Sequence, residues 1–282
     1  MFVIALDVGG TNVRAAIADE QGTLFEVIKE DTLRHDKDLF IAQVIGIILK
    51  LNINKYDPVA IAIGVPGPVQ SNGYINVLPN IGITNIDLVT PLKKTFNLPV
   101  YIKNDAEMAA FAESIKGAGK HAKSTYFVTI STGLGGCLIV GDTIKNVSRE
   151  IGHTLIPYKD DFYEIEKIAS GDGVVKLAAL NNVYYANGKA FFTDVENNVS
   201  YALKVFSDWL DILVDFFTYV QTAFTPEVIA VTGGVLKSKH LFWDELKKRL
   251  PTANLQIAHF SEDAGLVGAA TYATITYQQS KK

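Results

Sequence analysis

Two adjacent polar residues, Asn104 and Asp105, stand between an apolar run rich in β-formers and a helix rich in alanine. A carboxylate at the start of a helix is stabilised as an anion by the free N–H groups and by the helix dipole. Strand ends of α/β sheets are also a common place for ligands. The alternative is that one of the two residues only caps the helix. This stretch alone favours capping, whereas the other motifs of the chain favour a ligand site.

A glycine turn near the start of the chain carries five residues with site chemistry: Asp7, Gly9, Gly10, Thr11 and Asn12. Adjacent glycines let backbone N–H groups approach an anion, and the threonine hydroxyl adds a donor. The carboxylate could hold Mg²⁺ or its water. An ordinary hairpin is the alternative. The turn is neither a Walker motif nor a dinucleotide fingerprint, because a strand follows it where those motifs need a helix.

The second half of the chain repeats this plan of strand, Gly/Thr turn, strand and turn. Residues 131–136 read Ser-Thr-Gly-Leu-Gly-Gly and lie between two apolar runs. One glycine-rich hairpin is weak support for a site, whereas two in matching positions are stronger. Facing one cleft, two such turns would cradle a polyphosphate from both sides.

A polar segment follows the buried strand predicted at 59–65, which includes Gly64 and runs into Pro66-Gly67-Pro68. Asn80 and residues 85–87 are predicted to form a loop at the same sheet end as Asp105. Asparagine suits sugar hydroxyls because it both donates and accepts hydrogen bonds. Loop asparagines are more often turn formers, which is the alternative.

Helices and strands in the rest of the chain follow from hydrophobic periodicity. Helical spacing is predicted at 37–51 and at 199–224, where an aromatic stripe is typical of core packing or a dimer surface. A strand at 228–232 enters Gly233-Gly234, and a last helix begins near 262. The architecture is therefore α/β with a duplicated plan.

Composition narrows the class of protein. The 282 residues are 48% hydrophobic and 20% charged, which predicts a substantial core and little disorder. The net charge of -4 offers no basic face, so nucleic-acid binding is disfavoured. No signal peptide or membrane-spanning run is recognisable, and the single cysteine, Cys137, excludes an internal disulfide. These features predict a cytoplasmic protein without membrane partners.

Five motifs, taken in order, resemble the ROK family of sugar kinases and repressors: residues 6–12, 64–68, 104–106, 131–136 and 150–153. Residues 231–234 resemble the adenosine-site turn of that family. The resemblance implies an actin-like ATPase (ribonuclease H-like) fold, with a mixed sheet in each half and helices on both faces. It also implies two domains that close over sugar and ATP: 1–112, completed by a C-terminal helix at about 264–282, and 113–263.

The resemblance implies a role for each matching position. Asp105 would be the general base that takes the proton of the attacking sugar hydroxyl. Sugar contacts are implied for Gly64, Asn80, Asn104, Asp105, Glu150, His153 and Glu166. The phosphate turns would be formed by Gly9, Gly10, Thr11 and Asn12 and by Thr132 and Gly133, with Gly233 and Gly234 at the adenosine and Asp7 at Mg²⁺. Alone, His153 reads as a surface or core histidine and Glu166 as a solvated helix charge.

One departure from the family concerns its structural zinc, which is bound by the motif histidine and a following cysteine cluster. Residues 154–171 contain no cysteine, so that zinc site cannot form here. Seven apolar side chains are predicted to replace the metal by packing: Leu155, Ile156, Tyr158, Phe162, Tyr163, Ile165 and Ile168.

The leading hypothesis is an ATP- and Mg²⁺-dependent kinase of a hexose or an N-acetylated hexosamine. Because the short length and missing zinc cluster resemble some N-acetylmannosamine kinases of the family, 6-phosphorylation of N-acetylmannosamine is the first candidate, followed by glucose 6-phosphorylation. A sugar-responsive repressor needs an N-terminal helix-turn-helix, for which the strand at Phe2 leaves no room. A non-catalytic sugar-binding protein is a further alternative. The family resemblance also implies a homodimer.

Overall fold

The computed structural model describes residues 1–145 and 150–282. These residues form two compact units, one containing residues 1–117 and 262–282 and the other residues 118–261. We call them unit 1 and unit 2. The domain boundaries expected from the sequence, at 112/113 and 263/264, stay a prediction.

Both units contain helices as well as strands. The first part of unit 1 contains β1 (Phe2–Val8), β2 (Asn12–Asp19), β3 (Leu24–Asp31), α1 (Lys37–Leu49), α2 (Ile53–Tyr56), β4 (Ile61–Val65), β5 (Ile75–Leu78), β6 (Ile83–Ile86), α3 (Val89–Phe96), β7 (Val100–Asn104) and α4 (Asp105–Ile115). Unit 2 contains β8 (Ser124–Ile130), β9 (Leu134–Val140), β10 (Thr143–Lys145), β11 (Leu155–Tyr158), β12 (Asp161–Glu164), α5 (Glu166–Ala169), α6 (Gly173–Leu180), α7 (Gly188–Glu196), α8 (Ser200–Phe224), β13 (Val228–Thr232), α9 (Trp243–Arg249) and β14 (Leu255–Ile257). Unit 1 ends with α10 (Ala264–Gln279).

The two units contain five-stranded sheets of the same topology. Their strand orders are β3-β2-β1-β4-β7 and β10-β9-β8-β13-β14. In each sheet the first three strands of the unit pair antiparallel, and the remaining two extend the sheet in parallel. Antiparallel neighbours need only tight turns, so each glycine turn joins the first two strands of its sheet. The predicted α/β class, the duplication and the mixed sheet in each half are confirmed.

Helices cover both faces of the sheet in unit 1. Along β1, Ile4 and Leu6 lie on the face that packs against buried residues of α1, whereas Val3 and Ala5 lie on the opposite face with α10. This alternation follows from the two-residue period of a strand. Small residues on the α10 side let the backbones approach, and a side chain at Gly268 would overlap the carbonyl of Met108 in α4.

In unit 2 the 25-residue helix α8 supplies much of the core. Trp209 is fully buried, and its indole N–H donates to the carbonyl of Ala169 at 2.9 Å. The predicted aromatic stripe of α8 therefore lies in the core of its own unit, at the positions Trp209, Phe216 and Phe217.

Two local predictions are wrong. Asn85 and Ile86 belong to strand β6 instead of a loop, while Asn80 lies in the turn before that strand. Leu155 and Phe162, predicted to pack in place of the zinc, are 62% and 65% exposed. In the β11–β12 hairpin side chains alternate between two faces, and these two point away from the core.

The other five side chains of that segment do pack against the core of unit 2: Ile156, Tyr158, Tyr163, Ile165 and Ile168. Hydrogen bonds anchor the hairpin as well. The hydroxyl of Tyr158 donates to Asp208 in α8 at 2.6 Å and accepts from Asn181 at 2.7 Å. Residues 155–164 thus form a two-stranded hairpin that is fastened to α8.

Among the described residues, none of the helices combines the length and the apolar character that a bilayer crossing requires.

Candidate active site

The junction of β7 and α4 divides two tasks between neighbouring residues. The side-chain oxygen of Asn104 accepts the N–H groups of Ala106 at 3.0 Å and Glu107 at 3.3 Å, and the Glu107 carboxylate accepts the N–H of Asn104 in return. This capping box satisfies the helix start. Asn104 also donates to the carbonyl of Gly67 at 3.1 Å, which fixes the Pro-Gly-Pro turn beside it. Asn104 is therefore the cap, and Asp105 is not needed for that purpose.

The carboxylate of Asp105 is half-buried, accepts the N–H of Ala106 at 2.8 Å and interacts with the side chain of Asn104. Burial raises the pKa of Asp105 to about 6, the N–H bond opposes this shift, and the nearby charge of Asp7 adds to it. A carboxylate with its pKa close to neutral can accept a proton during a reaction and release it afterwards. Gly64 contributes space, because its missing side chain lets the Cα of Asp105 come close to β4.

Asp7 lies near the end of β1, opposite Arg14 on β2. Burial raises the pKa of Asp7, while the Arg14 guanidinium lowers it and the charge of Asp263 raises it. Arg14 is held by the carbonyl of Glu262 at 2.7 Å and by the carboxylate of Asp263. These contacts tie the acid-bearing strand to the segment that leads into α10.

The Asp7 carboxylate also lies over the first turn of α10. A side chain at Gly265 would place its Cβ 2.6 Å from the carboxyl carbon of Asp7, so only glycine leaves room there. Sequence reasoning missed Arg14, Asp263 and Gly265 because they meet Asp7 only in the folded unit. The sequence did offer one signal for the contact with Arg14, which is an opposite charge seven residues after Asp7 on the returning strand of the hairpin. Carboxylate oxygens are the ligands that Mg²⁺ prefers, so the donor chemistry of Asp7 fits that ion.

The first glycine turn is closed by the N–H of Gly9, which donates to the carbonyl of Asn12 at 2.8 Å. Gly10 packs against Asn80, since a Cβ at Gly10 would lie 2.7 Å from that of the asparagine. The predicted sugar contact Asn80 and the predicted phosphate turn are thus neighbours in unit 1. Thr11, at the tip of the turn, is exposed.

The second glycine turn has Glu166 directly beside it. The Glu166 carboxylate accepts the N–H of Leu134 at 3.0 Å, and a side chain at Gly133 would overlap that carboxylate. The turn is closed by the N–H of Ser131, which donates to the carbonyl of Gly133 at 2.8 Å. Glu166 is therefore held against the turn instead of standing free in solvent.

His153 belongs to a short run of 3-10 helix, Ile151–His153, and its side chain is about half exposed. Its Nδ1 lies 3.2 Å from a carboxylate oxygen of Glu164, and its Nε2 lies 3.4 Å from one of Glu150. The bond with Glu164 is the main cause that raises the pKa of His153. The sequence placed Glu150 and His153 in one motif and gave no sign of Glu164, which β12 brings in.

Unit 2 contains a cavity of about 710 Å³, within the size range of small-molecule sites. Thr132 and Gly234 line it, as does Lys189 on α7. Gly233 has φ +112°, and a side chain there would overlap the backbone of Ile130. The wall formed by α7 was not predicted, because its sequence carries no motif.

Similarity to known proteins extends over nearly the whole chain. The ROK family profile matches residues 3–275. A glucokinase of Halalkalibacterium halodurans is 28% identical over 307 aligned positions, which cover 95% of this chain and 93% of that protein.

Solved structures agree with the sequence comparison. A ROK family glucokinase from Streptomyces griseus in complex with glucose and AMPPNP is 25% identical, with a TM-score of 0.71 over 97% of this chain and 99% of that chain. Lmo2764 of Listeria monocytogenes, proposed to be an N-acetylmannosamine kinase, is 21% identical with a TM-score of 0.80 and covers both chains fully. The latter likeness supports the actin-like ATPase fold. The chain belongs to the ROK family.

Proposed function

We propose that this protein transfers the γ-phosphate of ATP to a hydroxyl group of a hexose or N-acetylhexosamine. The observation that carries the proposal is Asp105, a half-buried carboxylate that is not used as the helix cap and whose pKa is raised to about 6. Family membership and the similarity to a glucokinase and to a glucose–AMPPNP complex support it.

In the proposed reaction, Asp105 accepts the proton of the sugar hydroxyl as that oxygen attacks the γ-phosphorus. An O–P bond to the sugar forms, the O–P bond to ADP breaks, and Asp105 later releases its proton to water. A positioned base of this kind contributes about 10²–10⁴-fold to the rate. Because phosphoryl transfer depends mostly on positioning and charge stabilisation, the remaining residues act by holding the two substrates.

The proposal assigns the phosphates to backbone N–H groups of the two turns, through Gly9, Gly10, Thr11 and Asn12 and through Thr132 and Gly133. Adenosine would occupy the unit 2 cavity beside Gly234, with Gly233 shaping the turn. Mg²⁺ would be held by Asp7, directly or through water, and when bound it neutralises charge on the phosphate oxygens.

Sugar hydroxyls are assigned to Gly64, Asn80, Asn104, Glu150, His153 and Glu166. The Asn104 side chain already caps the helix through its oxygen and donates to the carbonyl of Gly67, so it holds its place at the site. The Glu166 carboxylate accepts the N–H of Leu134 through one oxygen, and its other oxygen lies 3.4 Å from the Lys167 ammonium.

N-acetylmannosamine is our first candidate substrate, since the segment 154–171 lacks the cysteines that glucokinases of the family usually retain. Glucose is the second, because the glucokinase relative aligns over nearly the whole chain. A sugar-responsive regulator is the alternative from another class, and it would bind sugar without turnover.

The test is ADP release from Mg·ATP with N-acetylmannosamine, glucose, N-acetylglucosamine, mannose, fructose and allose. We expect one sugar to give a kcat/KM at least about 10-fold above the others, because a site built around specific hydroxyls rejects analogues that lack them. Sugar binding by calorimetry without any ADP release would favour the regulator. No release and no binding with any of the six would contradict the proposed substrate class.

The family resemblance further supports a cytoplasmic homodimer. Sedimentation equilibrium would test the oligomeric state, with a mass of twice 30.8 kDa as the expected result.

A further inference from the structure

Each glycine turn is held by a buried hydroxyl group that belongs to neither strand of its hairpin. In unit 1 the hydroxyl of Thr32 donates to the carbonyl of Gly9 at 2.7 Å. In unit 2 the hydroxyl of Ser170 donates to the carbonyl of Thr132, also at 2.7 Å. Thr32 is 8% exposed and Ser170 is 1% exposed. Both units therefore fasten a turn carbonyl with a buried hydroxyl, and this carbonyl is that of the first turn residue in unit 1 and that of the second turn residue in unit 2.

A backbone bond accompanies each hydroxyl. The N–H of Thr32 donates to the carbonyl of Thr11 at 2.8 Å, and the N–H of Gly171 donates to the carbonyl of Ser131 at 2.6 Å. The Ser170 hydroxyl also accepts the N–H of Gly173 at 2.9 Å, which leaves its own proton for the turn. Each turn is thus fastened at two of its carbonyl groups.

A hydrogen bond to a carbonyl group also fixes the direction of the N–H group in the same peptide. In a trans peptide the C=O and the following N–H point in opposite directions. Holding the carbonyl of Gly9 towards Thr32 therefore turns the N–H of Gly10 to the other side of the peptide, and holding the carbonyl of Thr132 does the same for Gly133. Such N–H groups in a turn are the donors that form an anion site.

We infer that Thr32 and Ser170 are positioning residues, which orient the N–H groups of Gly10 and Gly133 towards the phosphates of the nucleotide. This inference rests on the proposed function, because it takes both turns to bind phosphate. Without the hydroxyl, the peptide could rotate more freely about the backbone bonds beside it, because a glycine follows it in both turns. The N–H would then spend less time in the binding orientation.

The test uses the binding of Mg·AMPPNP to the full chain, measured by calorimetry. Thr32→Val keeps the shape and the backbone bond of Thr32 and removes the hydroxyl, while Thr32→Ser retains the hydroxyl. The matched control is Thr271→Val, since the hydroxyl of Thr271 is equally buried and donates at 2.7 Å to the carbonyl of Val267 within α10. Ser170→Ala gives the corresponding change in unit 2.

We expect Thr32→Val and Ser170→Ala to weaken nucleotide binding by about 3- to 10-fold, as the loss of one neutral hydrogen bond at each turn implies. Thr32→Ser and Thr271→Val should stay within about 2-fold of wild type, and the KM for sugar should move less than nucleotide affinity in all four variants. If Thr32→Val does not fold, Thr32→Ala takes its place.

Unchanged nucleotide affinity in Thr32→Val and Ser170→Ala, in a wild-type protein that is an active kinase, would overturn the inference alone. An equal loss in Thr271→Val would also overturn it, since the effect would then be a general loosening of the fold. A wild-type protein that neither binds Mg·AMPPNP nor phosphorylates sugar would overturn the proposed function together with the inference.

Discussion

In the proposed reaction the chemistry depends on Asp105, and the environment of this residue sets a pH range. Its pKa is raised to about 6, chiefly by burial, so the ionised form that accepts a proton is lost as the pH falls through that value. The free enzyme's base controls kcat/KM. We expect kcat/KM for the sugar to be level above about pH 7 and to fall about 10-fold per pH unit below about pH 5.5.

Initial rates across this range, with nucleotide saturating, check the expectation. A profile that stays level down to about pH 4.5 would show that the base has an ordinary carboxyl pKa or is another group. A buffer-matched melting curve at each pH separates titration of the site from unfolding.

For single residues, the sequence predicts which side chains belong to the candidate site better than it predicts which groups they contact. The pair Asn104-Asp105 marks the start of α4, but spacing alone could not decide which residue caps it. The capping box with Glu107 decides that in favour of Asn104. Thr32, Ser170 and Gly265 could not be predicted, because their contacts join segments distant in sequence and depend on packing.

Among the elements, the β11–β12 hairpin differs most from the expected pattern. Packing was predicted to replace the missing zinc, and five of the seven predicted side chains do contact the core. The strand period places Leu155 and Phe162 on the outer face. A hydrogen-bond network from Tyr158 to Asp208 and Asn181 adds to the packing, and apolar periodicity could not have indicated it.

The hairpin network makes a prediction for Tyr158→Phe, which removes the hydroxyl and keeps the ring. Burial and the bond to Asp208 raise the pKa of Tyr158 to about 12, so the phenol stays neutral and donates its proton at physiological pH. Losing a hydrogen bond to a partly buried carboxylate should lower the free energy of unfolding by about 1–2 kcal/mol.

Urea unfolding of Tyr158→Phe beside Tyr184→Phe provides the measurement, because Tyr184 is 79% exposed and serves as the matched tyrosine. The Tyr184 variant should lie within about 0.5 kcal/mol of wild type. Equal midpoints for the two variants would show that the network does not anchor the hairpin.

Element positions were predicted well where periodicity is strong. The strand Val228–Thr232 has the predicted bounds, and α8 begins one residue later than predicted. The last helix begins at Ala264, where the resemblance placed the C-terminal helix, while the periodicity suggested a start near 262, in the short 3-10 turn Ser261–Asp263. In that turn the backbone carbonyl of Glu262 and the carboxylate of Asp263 bind the Arg14 guanidinium, a tertiary contact that periodicity does not indicate.

For the whole molecule, the duplicated plan explains why two similar turns exist at all. Each five-stranded sheet joins its first two strands through a glycine turn, so the duplication supplies two such turns between equivalent strands. Helix α10 returns from the end of the chain to cover the sheet of unit 1 and brings Gly265 to Asp7. Sequence patterns predicted the repeat, whereas the contacts made by α10 required the fold.

The most direct test of the central proposal is mass-spectrometric detection of a phosphorylated sugar after incubation with Mg·ATP and either N-acetylmannosamine or glucose. Asp105→Asn is the matched control, because it removes the proposed base and keeps the local structure. The side-chain oxygen of the new asparagine can still accept the N–H of Ala106, and Asn104 still caps the helix. We expect a sugar monophosphate formed in step with ADP by the wild type, and a rate at least about 10²-fold lower in Asp105→Asn. Equal rates in the two proteins would contradict the assigned base, and ADP without any phosphorylated sugar would contradict the kinase itself.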